Sequence, residues 1–290
     1  MKKYLTSILT AFCLSALALP PALVGTAHAD DGKKWAHVTI ATEGEFRPWN
    51  FTKPDGKLDG YEIDLIKYLC DHMKVECTTV VQSFDGMIPA LQAGKFDAII
   101  SGMSATPKRQ EVIDFSDSYG TTGQTFATLK TDDLAKLPLK DEVFSLSSDE
   151  AGALDALKQL APLLKGKTIG VQTSSIADTF AQKYLKDVVT IQEYKTTEQH
   201  DLDLKAGRVD LIMASTAYIS TAAAKPGNED FVMTGPRFQG GLLGRGSSVG
   251  LRKTDPELKA MFNEAIASAK ADGTIKKLSD KWFGFDVTPR

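Results

Sequence analysis

Short β-branched runs and stretches of helical spacing alternate along this 290-residue chain. His37–Thr42 (HVTIAT) reads as a strand. Tyr61–His72 follows with Ile63, Leu65, Ile66 and Leu69 at helical spacing, and Val75–Val81 is β-branched again. Phe84–Ala93 predicts a helix and Phe96–Ile100 a strand. The rhythm resumes with a strand at Lys167–Val171, a helix at Ser175–Leu185, a strand at Val188–Glu193, a helix at Thr197–Ala206 and a strand at Val209–Ala214. Such alternation predicts α/β layers built on largely parallel sheets.

One unit occurs twice. Leu91-Gln-Ala93-Gly94-Lys-Phe-Asp97-Ala-Ile-Ile100 is echoed by Leu204-Lys-Ala206-Gly207-Arg-Val-Asp210-Leu-Ile-Met213. Each ends a helix at a Gly suited to a left-handed C′ position and then enters an apolar strand. The interval is too long for a solenoid repeat and fits two similar lobes. Thr121–Leu129 is an extended, Thr-rich stretch after the first lobe. Gly235–Gly250 carries Pro236 and six glycines after the second, before a strand at Val249–Arg252 and helices at Pro256–Ala271 and Thr274–Trp282. If those helices pack on the first lobe, the chain crosses twice and forms a hinge. The division is then 30–122 and 240–290 for lobe I and 123–239 for lobe II. The pattern assigns no role to the polar-to-helical insertion at 134–165.

Composition adds a compartment. Lys2 and Lys3, an apolar run from Leu5 to Val24 and Ala27-His28-Ala29 read as a secretory signal peptide, residues 1–29, cut before Asp30. Pro20 and Pro21 interrupt that run, which argues against a membrane anchor, and Thr10-Ala11-Phe12 before Cys13 is a poor lipobox. A hydrophobic content of 42% fills real cores, and the formal charge of −3 becomes more negative once a leader with two lysines and no acid is removed. A mildly acidic chain without basic runs excludes nucleic acid and anionic membranes as partners. Cys70 and Cys77 remain after the leader. In an oxidising compartment such a pair forms a structural disulfide. His72 lies between them, but a zinc site wants a fourth ligand and none is near. No metal and no cofactor are expected.

Enzyme signatures are thin. His37, His72 and His200 sit in no Ser-His-Asp, Cys-His or metal spacing. Gly244-Arg-Gly246-Ser-Ser-Val-Gly250 leads into a strand, not into the helix N-terminus that a phosphate cradle needs. Ser101-Gly-Met-Ser104-Ala-Thr106-Pro107-Lys-Arg109 follows a buried strand and carries a helix start, an N-cap hydroxyl followed by Pro. Free backbone N–H groups there favour an anion, and Arg109 adds a fork that fits a carboxylate. An ordinary surface Arg is the alternative. Glu43, Phe46, Trp49 and Phe51 lie in or beyond the first strand, and Phe84 lies beyond the next. Strand C-terminal ends are where open α/β sheets bind ligands, though by spacing alone these aromatics are equally core.

Taken together, the chain resembles the periplasmic binding proteins of polar amino-acid ABC importers, of the lysine/arginine/ornithine and histidine type. The resemblance covers essentially all of the chain after the leader. It rests on Ile40-Ala-Thr-Glu43, Gly60-Tyr-Glu-Ile-Asp64-Leu, Cys70 with Cys77, Ile88-Pro89-Ala-Leu91, Phe96-Asp97-Ala-Ile, Lys108-Arg109, Ile113-Asp-Phe115-Ser and Ala271-Asp-Gly273-Thr. Gly235-Pro236-Arg237, Gly240-Gly241-Leu242, Gly244-Arg245-Gly246, Leu137-Pro-Leu139 and Lys281-Trp282-Phe283-Gly284 look most like the octopine/nopaline-type binders within it.

The resemblance implies a two-lobed type II fold that closes on its ligand like a flytrap, no enzymatic activity, a periplasmic location, a monomer and an importer permease as partner. It implies that Arg109 grips a ligand carboxylate, aided by Ser104 and backbone groups of Ser101, Gly102, Met103 and Ser104. Phe46 takes the stacking place, flanked by Phe84, and Glu43 meets a cationic end. Gln172, Ser174, Ser175, Gln199 and Ser215 close over the ligand from the second lobe. Ser215 stands where ordinary amino-acid binders place an Asp, which suits an amine carrying an extra acid, as in opines. Ile176 and Ala177 replace polar residues of the opine binders, so a cationic amino acid and an arginine-derived opine both stay open. A dehydratase-like enzyme on the same scaffold is the alternative of another class, and a role in feeding a chemoreceptor is compatible with transport.

Overall fold

The computed structural model describes residues 35–289. The expected leader, 1–29, lies outside the described residues. The chain begins with β1 (His37–Thr42) and three short strands, β2 (Glu45–Phe46), β3 (Asn50–Thr52) and β4 (Leu58–Asp59), which form a small sheet. α1 (Tyr61–Met73), β5 (Glu76–Val81), α2 (Met87–Gln92), β6 (Ala98–Ile99), α3 (Pro107–Gln110) and β7 (Asp114–Gly120) follow. Next come β8 (Gln124–Leu129), β9 (Val143–Ser145), α4 (Glu150–Leu164), β10 (Thr168–Gln172) and α5 (Ile176–Tyr184). β11 (Thr190–Tyr194), α6 (Thr197–Lys205), β12 (Leu211–Ser215), α7 (Thr216–Ala223) and β13 (Phe231–Gln239) finish the second lobe. β14 (Ser247–Leu251), α8 (Pro256–Ala271) and α9 (Thr274–Trp282) end the chain.

The two large sheets follow one plan. The first runs β5-β1-β6-β14-β7 and the second β11-β10-β12-β8-β13-β9. In each, three neighbouring strands are parallel, β5-β1-β6 and β11-β10-β12. The next strand, β14 or β8, is antiparallel. The sheets are therefore more mixed than the alternation predicts. A strand that follows a βαβ crossover must run parallel, whereas β8 and β14 arrive from the other lobe and enter from the opposite end.

Local chemistry explains the elements. α1 starts after Gly60, whose φ is +128°, and a Cβ there would lie 2.6 Å from the Trp49 carbonyl oxygen. α1 stops at Lys74 in the left-handed region. Its buried face, Leu65, Ile66 and Leu69, packs with Val38, Ile40 and, from α8, Phe262 and Ile266 on one side of the first sheet. Met87, Leu91, Phe96 and Phe115 fill the other side. The stretch predicted as one helix at 84–93 is a 3₁₀ turn, Phe84–Gly86, followed by α2. Pro89 falls in the first turn of α2, where a missing N–H costs nothing. Gly235-Pro236, expected in the second linking stretch, lies inside β13, where the pairing register shifts between Thr234 and Phe238. A Pro within a sheet is tolerated at such a bulge. The 134–165 insertion supplies β9, the edge strand beside β13, and α4, whose Ala153, Leu157 and Leu160 join the second core.

The repeated unit has a repeated job. Gly94 and Gly207 both follow helix ends at positive φ, +71° and +66°. The Asp97 carboxylate accepts the Thr39 N–H at 3.0 Å, while the Asp97 N–H donates to the Thr39 carbonyl at 2.8 Å. Asp210 makes the same pair of bonds with Thr168, at 2.7 and 2.9 Å. Each clamp has a cation, Arg252 on Asp97 and Lys167 on Asp210. Two residues so far apart in sequence thus fix the register of the central strand pair in each lobe.

Cys70 and Cys77 are joined, tying the end of α1 to β5. The loop they close is short, so its entropy is worth about 2–3 kcal/mol in the chain-entropy model. Replacing both by Ser should lower the unfolding free energy by about that amount. Urea titration of oxidised wild type against the double variant measures it.

Candidate functional site: the cleft between the lobes

β1, β6, β10 and β12 all end at the gap between the two sheets, and most of the expected site residues lie at or beyond those ends; Phe84 follows β5, and Gln199 lies in α6. The gap contains a cavity of about 500 Å³. Phe46, Phe84, Gly102, Ser104 and Arg109 line it from the first lobe, and Gln172, Ser175 and Ser215 from the second. Bonds between the lobes close its edges. Arg109 Nη2 donates to the Ser174 carbonyl at 2.9 Å, Thr197 Oγ1 donates to the Glu45 carbonyl at 3.4 Å, and Gln172 Nε2 donates to Glu43 Oε1.

Arg109 is placed by its own turn. The Thr106 hydroxyl caps α3 by accepting the Arg109 N–H at 3.2 Å, with Pro107 at the first helical position. Arg109 Nη1 donates to the Ser104 carbonyl at 2.9 Å, and the guanidinium lies 5.5 Å from the Phe84 ring centroid. Desolvation lowers its pKa to about 10, which leaves it charged at neutral pH. Its partners are backbone carbonyls, so the cation remains available to an anion in the cavity.

Glu43 is buried, at 4% exposure, and its Oε2 has no hydrogen-bond partner. Burial pushes its pKa up to about 8; the Gln172 bond opposes the rise, and Glu45, Glu62 and Asp85 add to it. Glu43 sits behind Gln172 rather than on the cavity wall.

Four other expected residues also stand off the wall. Ser101 is buried, and its hydroxyl accepts the Glu43 N–H at 3.0 Å. Met103 is packed in the first-lobe core. Ser174 is exposed at φ +63° and offers its carbonyl to Arg109. Gln199 is exposed and forms a capping box with Thr196 at the start of α6, so helix capping takes its side chain away from the cleft. Phe46 differs from expectation too. It lies on the wall, but it stacks on Trp49 at 6.4 Å and on Tyr218 of the second lobe at 5.5 Å. The Gly102 N–H, one of the backbone donors expected to meet an anion, donates to Glu62 at 2.6 Å.

Several wall residues escaped the reading. Trp49, weighed above only as an ambiguous aromatic, lines the cavity with an unpartnered Nε1. Gln124 and Thr197 also line it. Position beyond a strand end would have flagged Trp49, but nothing local in the sequence marks Gln124, which opens β8, as a cleft residue.

The bacterial extracellular solute-binding protein family 3 profile matches residues 38–285. This chain belongs to that family. It is 45% identical to an octopine-binding periplasmic protein of Rhizobium meliloti over 270 residues, 87% of this chain and 92% of the relative. It is 34% identical to an L-arginine-binding protein of Pseudomonas aeruginosa, covering 99% of this chain and 98% of that one. An ancestral arginine-binding protein solved with arginine superposes with a TM-score of 0.72 at 31% identity, covering 86% of this chain and 99% of the other. This family member is therefore a two-lobed α/β solute-binding protein.

Glu43 gives the ligand-free protein a pH signature. Its pKa is raised from 4.5 to about 8, so between those values the folded state holds a proton that the unfolded state has released. Its contribution to stability is full below pH 4.5 and is lost as pH rises to about 8. Glu43→Gln removes that slope. Urea unfolding at pH 5 and pH 8 should show wild type losing more stability than the variant over this interval, by a few kcal/mol at most.

Proposed function

We propose that this chain is the periplasmic binding component of an ABC importer and carries a cationic amino acid or an arginine-derived opine. The observation that carries the reading is a cation and an unsatisfied buried carboxyl set at the same cleft. Arg109 faces the cavity with only backbone carbonyls as partners. Behind the wall, Glu43 keeps a buried oxygen without a donor. A ligand with a carboxylate at one end and a guanidinium or ammonium at the other answers both. Its cation takes over the place of the Gln172 amide on Glu43. Relatives named for octopine and arginine support this class.

Lobe I would be 30–122 with 240–290, lobe II 123–239, and the lobes hinge at the two crossings between them. Ligand contacts on both sides favour the closed form, which the permease recognises. The protein works as a monomer. The neutral Ser215 caps α7 by accepting the Tyr218 N–H at 3.2 Å and adds no charge to the cavity wall. A secondary amine with a second acid, as in octopine or nopaline, fits there without repulsion.

Isothermal titration of ligand-stripped protein against arginine, ornithine, lysine, histidine, octopine and nopaline tests the reading. Binding within this panel is expected, and silence across it would sink the ligand class. Arg109→Ala should weaken the bound ligand by roughly 100-fold, the cost of losing one partner of a desolvated charge pair, with circular dichroism unchanged. Binding a cation should also ionise Glu43. Titration at pH 7 in buffers of different ionisation enthalpy should show proton release in wild type and none in Glu43→Gln.

A further inference from the structure

Glu62 is the second residue of α1, yet it has no exposed surface. Three donors converge on its carboxylate. The Gly102 N–H and the Tyr119 hydroxyl reach Oε1, the first at 2.6 Å, and the Asn50 side-chain amide reaches Oε2 at 2.6 Å. No cation is among these partners. Burial raises the pKa of the group and the three hydrogen bonds oppose the rise. A buried carboxyl so costly is retained for what it holds.

The three donors come from three parts of the cleft machinery. Gly102 is cavity wall, and its backbone lies directly under Phe46: a Cβ at Gly102 would be 2.7 Å from Phe46 Cε1. The height of that loop therefore sets the height of the ring that stacks on Tyr218 across the cleft. Asn50 uses its other amide atom, Oδ1, to accept the Gly44 N–H at 2.7 Å, next to Glu43. Tyr119 lies at the end of β7, where Gly120 packs against Trp49 and the chain leaves for the second lobe. The Tyr119 carbonyl in turn accepts the Tyr61 hydroxyl at 2.8 Å.

We propose that Glu62 is a positioning residue of the binding cleft, coupling the Gly102 wall and the Glu43 turn to the first interlobe crossing through its three hydrogen bonds. The proposal rests on the cleft being the ligand site. It predicts that a residue with no contact to ligand controls both affinity and lobe closure. The acceptor count makes the test sharp. A glutamine has the same shape but replaces one acceptor oxygen by an NH₂ group, so one of three buried donors must lose its bond.

Glu62→Gln, Glu62→Asp and Tyr119→Phe are compared with wild type by calorimetric titration, by thermal unfolding and by spin-label distances between the lobes without ligand. In Glu62→Gln, affinity for the panel ligand that wild type binds should fall at least tenfold, and the ligand-free lobes should shift to longer distances. Tyr119→Phe should move both readouts the same way by less, and Glu62→Asp, which keeps the acceptors, should recover part of the loss. A Glu62→Gln protein that melts earlier but keeps wild-type affinity and distances would reduce the residue to a structural brace and overturn the proposal. If Glu62→Gln does not fold, Tyr119→Phe decides: unchanged affinity and distances overturn it. Wild type that binds nothing in the panel defeats the ligand reading instead, and the ligand-free distances alone then decide the role of Glu62.

Discussion

A parallel strand leaves its terminal peptide groups and the loop that follows at one edge of the sheet, and here both sheets turn that edge to the same gap. Everything at the cleft follows from this constraint. β1 delivers Glu43, β6 delivers Gly102 and Ser104, β10 delivers Gln172 and Ser175, and β12 delivers Ser215. The duplicated Asp clamps hold the strand pairs in register one layer back. Each loop therefore starts from a fixed point, and a one-residue slip would exchange wall side chains for core side chains.

Electrostatically the cleft is unbalanced on purpose of binding, not of folding. The first lobe buries two carboxyl groups, Glu43 and Glu62, near the cavity and has Arg109 on its wall. None of the ion pairs among the described residues joins Glu43 or Glu62 to Arg109. A stable core would neutralise these groups among themselves. Keeping Arg109 and Glu43 apart leaves a cation and a carboxyl that holds its proton, each to be met by something that enters, and closing the lobes removes the water that would otherwise screen them.

The sequence made the layers and the lobe duplication legible because both depend on short-range pattern: apolar spacing and, in both copies of the repeated unit, a Gly after the helix and an Asp before the strand. Arg109 was legible for the same reason, since Thr106 and Pro107 mark the turn that presents it. Glu62 was not. It reads as an ordinary first-turn acid of α1, and only the approach of Asn50, Gly102 and Tyr119, from 12, 40 and 57 residues away, makes it a buried acceptor. Gln199, which the resemblance placed over the ligand, has its side chain in a local capping box with Thr196. Phe46 shows that an aromatic beyond a strand can serve the partner lobe as well as a ligand.

The placing of β14 between β6 and β7 has a consequence for the order of assembly. Among the described residues, β7 in the first sheet pairs only with β14, which lies more than a hundred residues later in the chain. The second sheet, by contrast, draws all its strands from one continuous stretch, β8 to β13. As the chain emerges from its N-terminus, the second lobe has every strand it needs while the first still waits with an unpaired edge. Closing that long loop carries an entropic cost that only the last fifth of the chain can repay. The lobe that begins first is thus the one that matures last, and a truncation at the C-terminus would strike residues near position 115 as hard as those it removes.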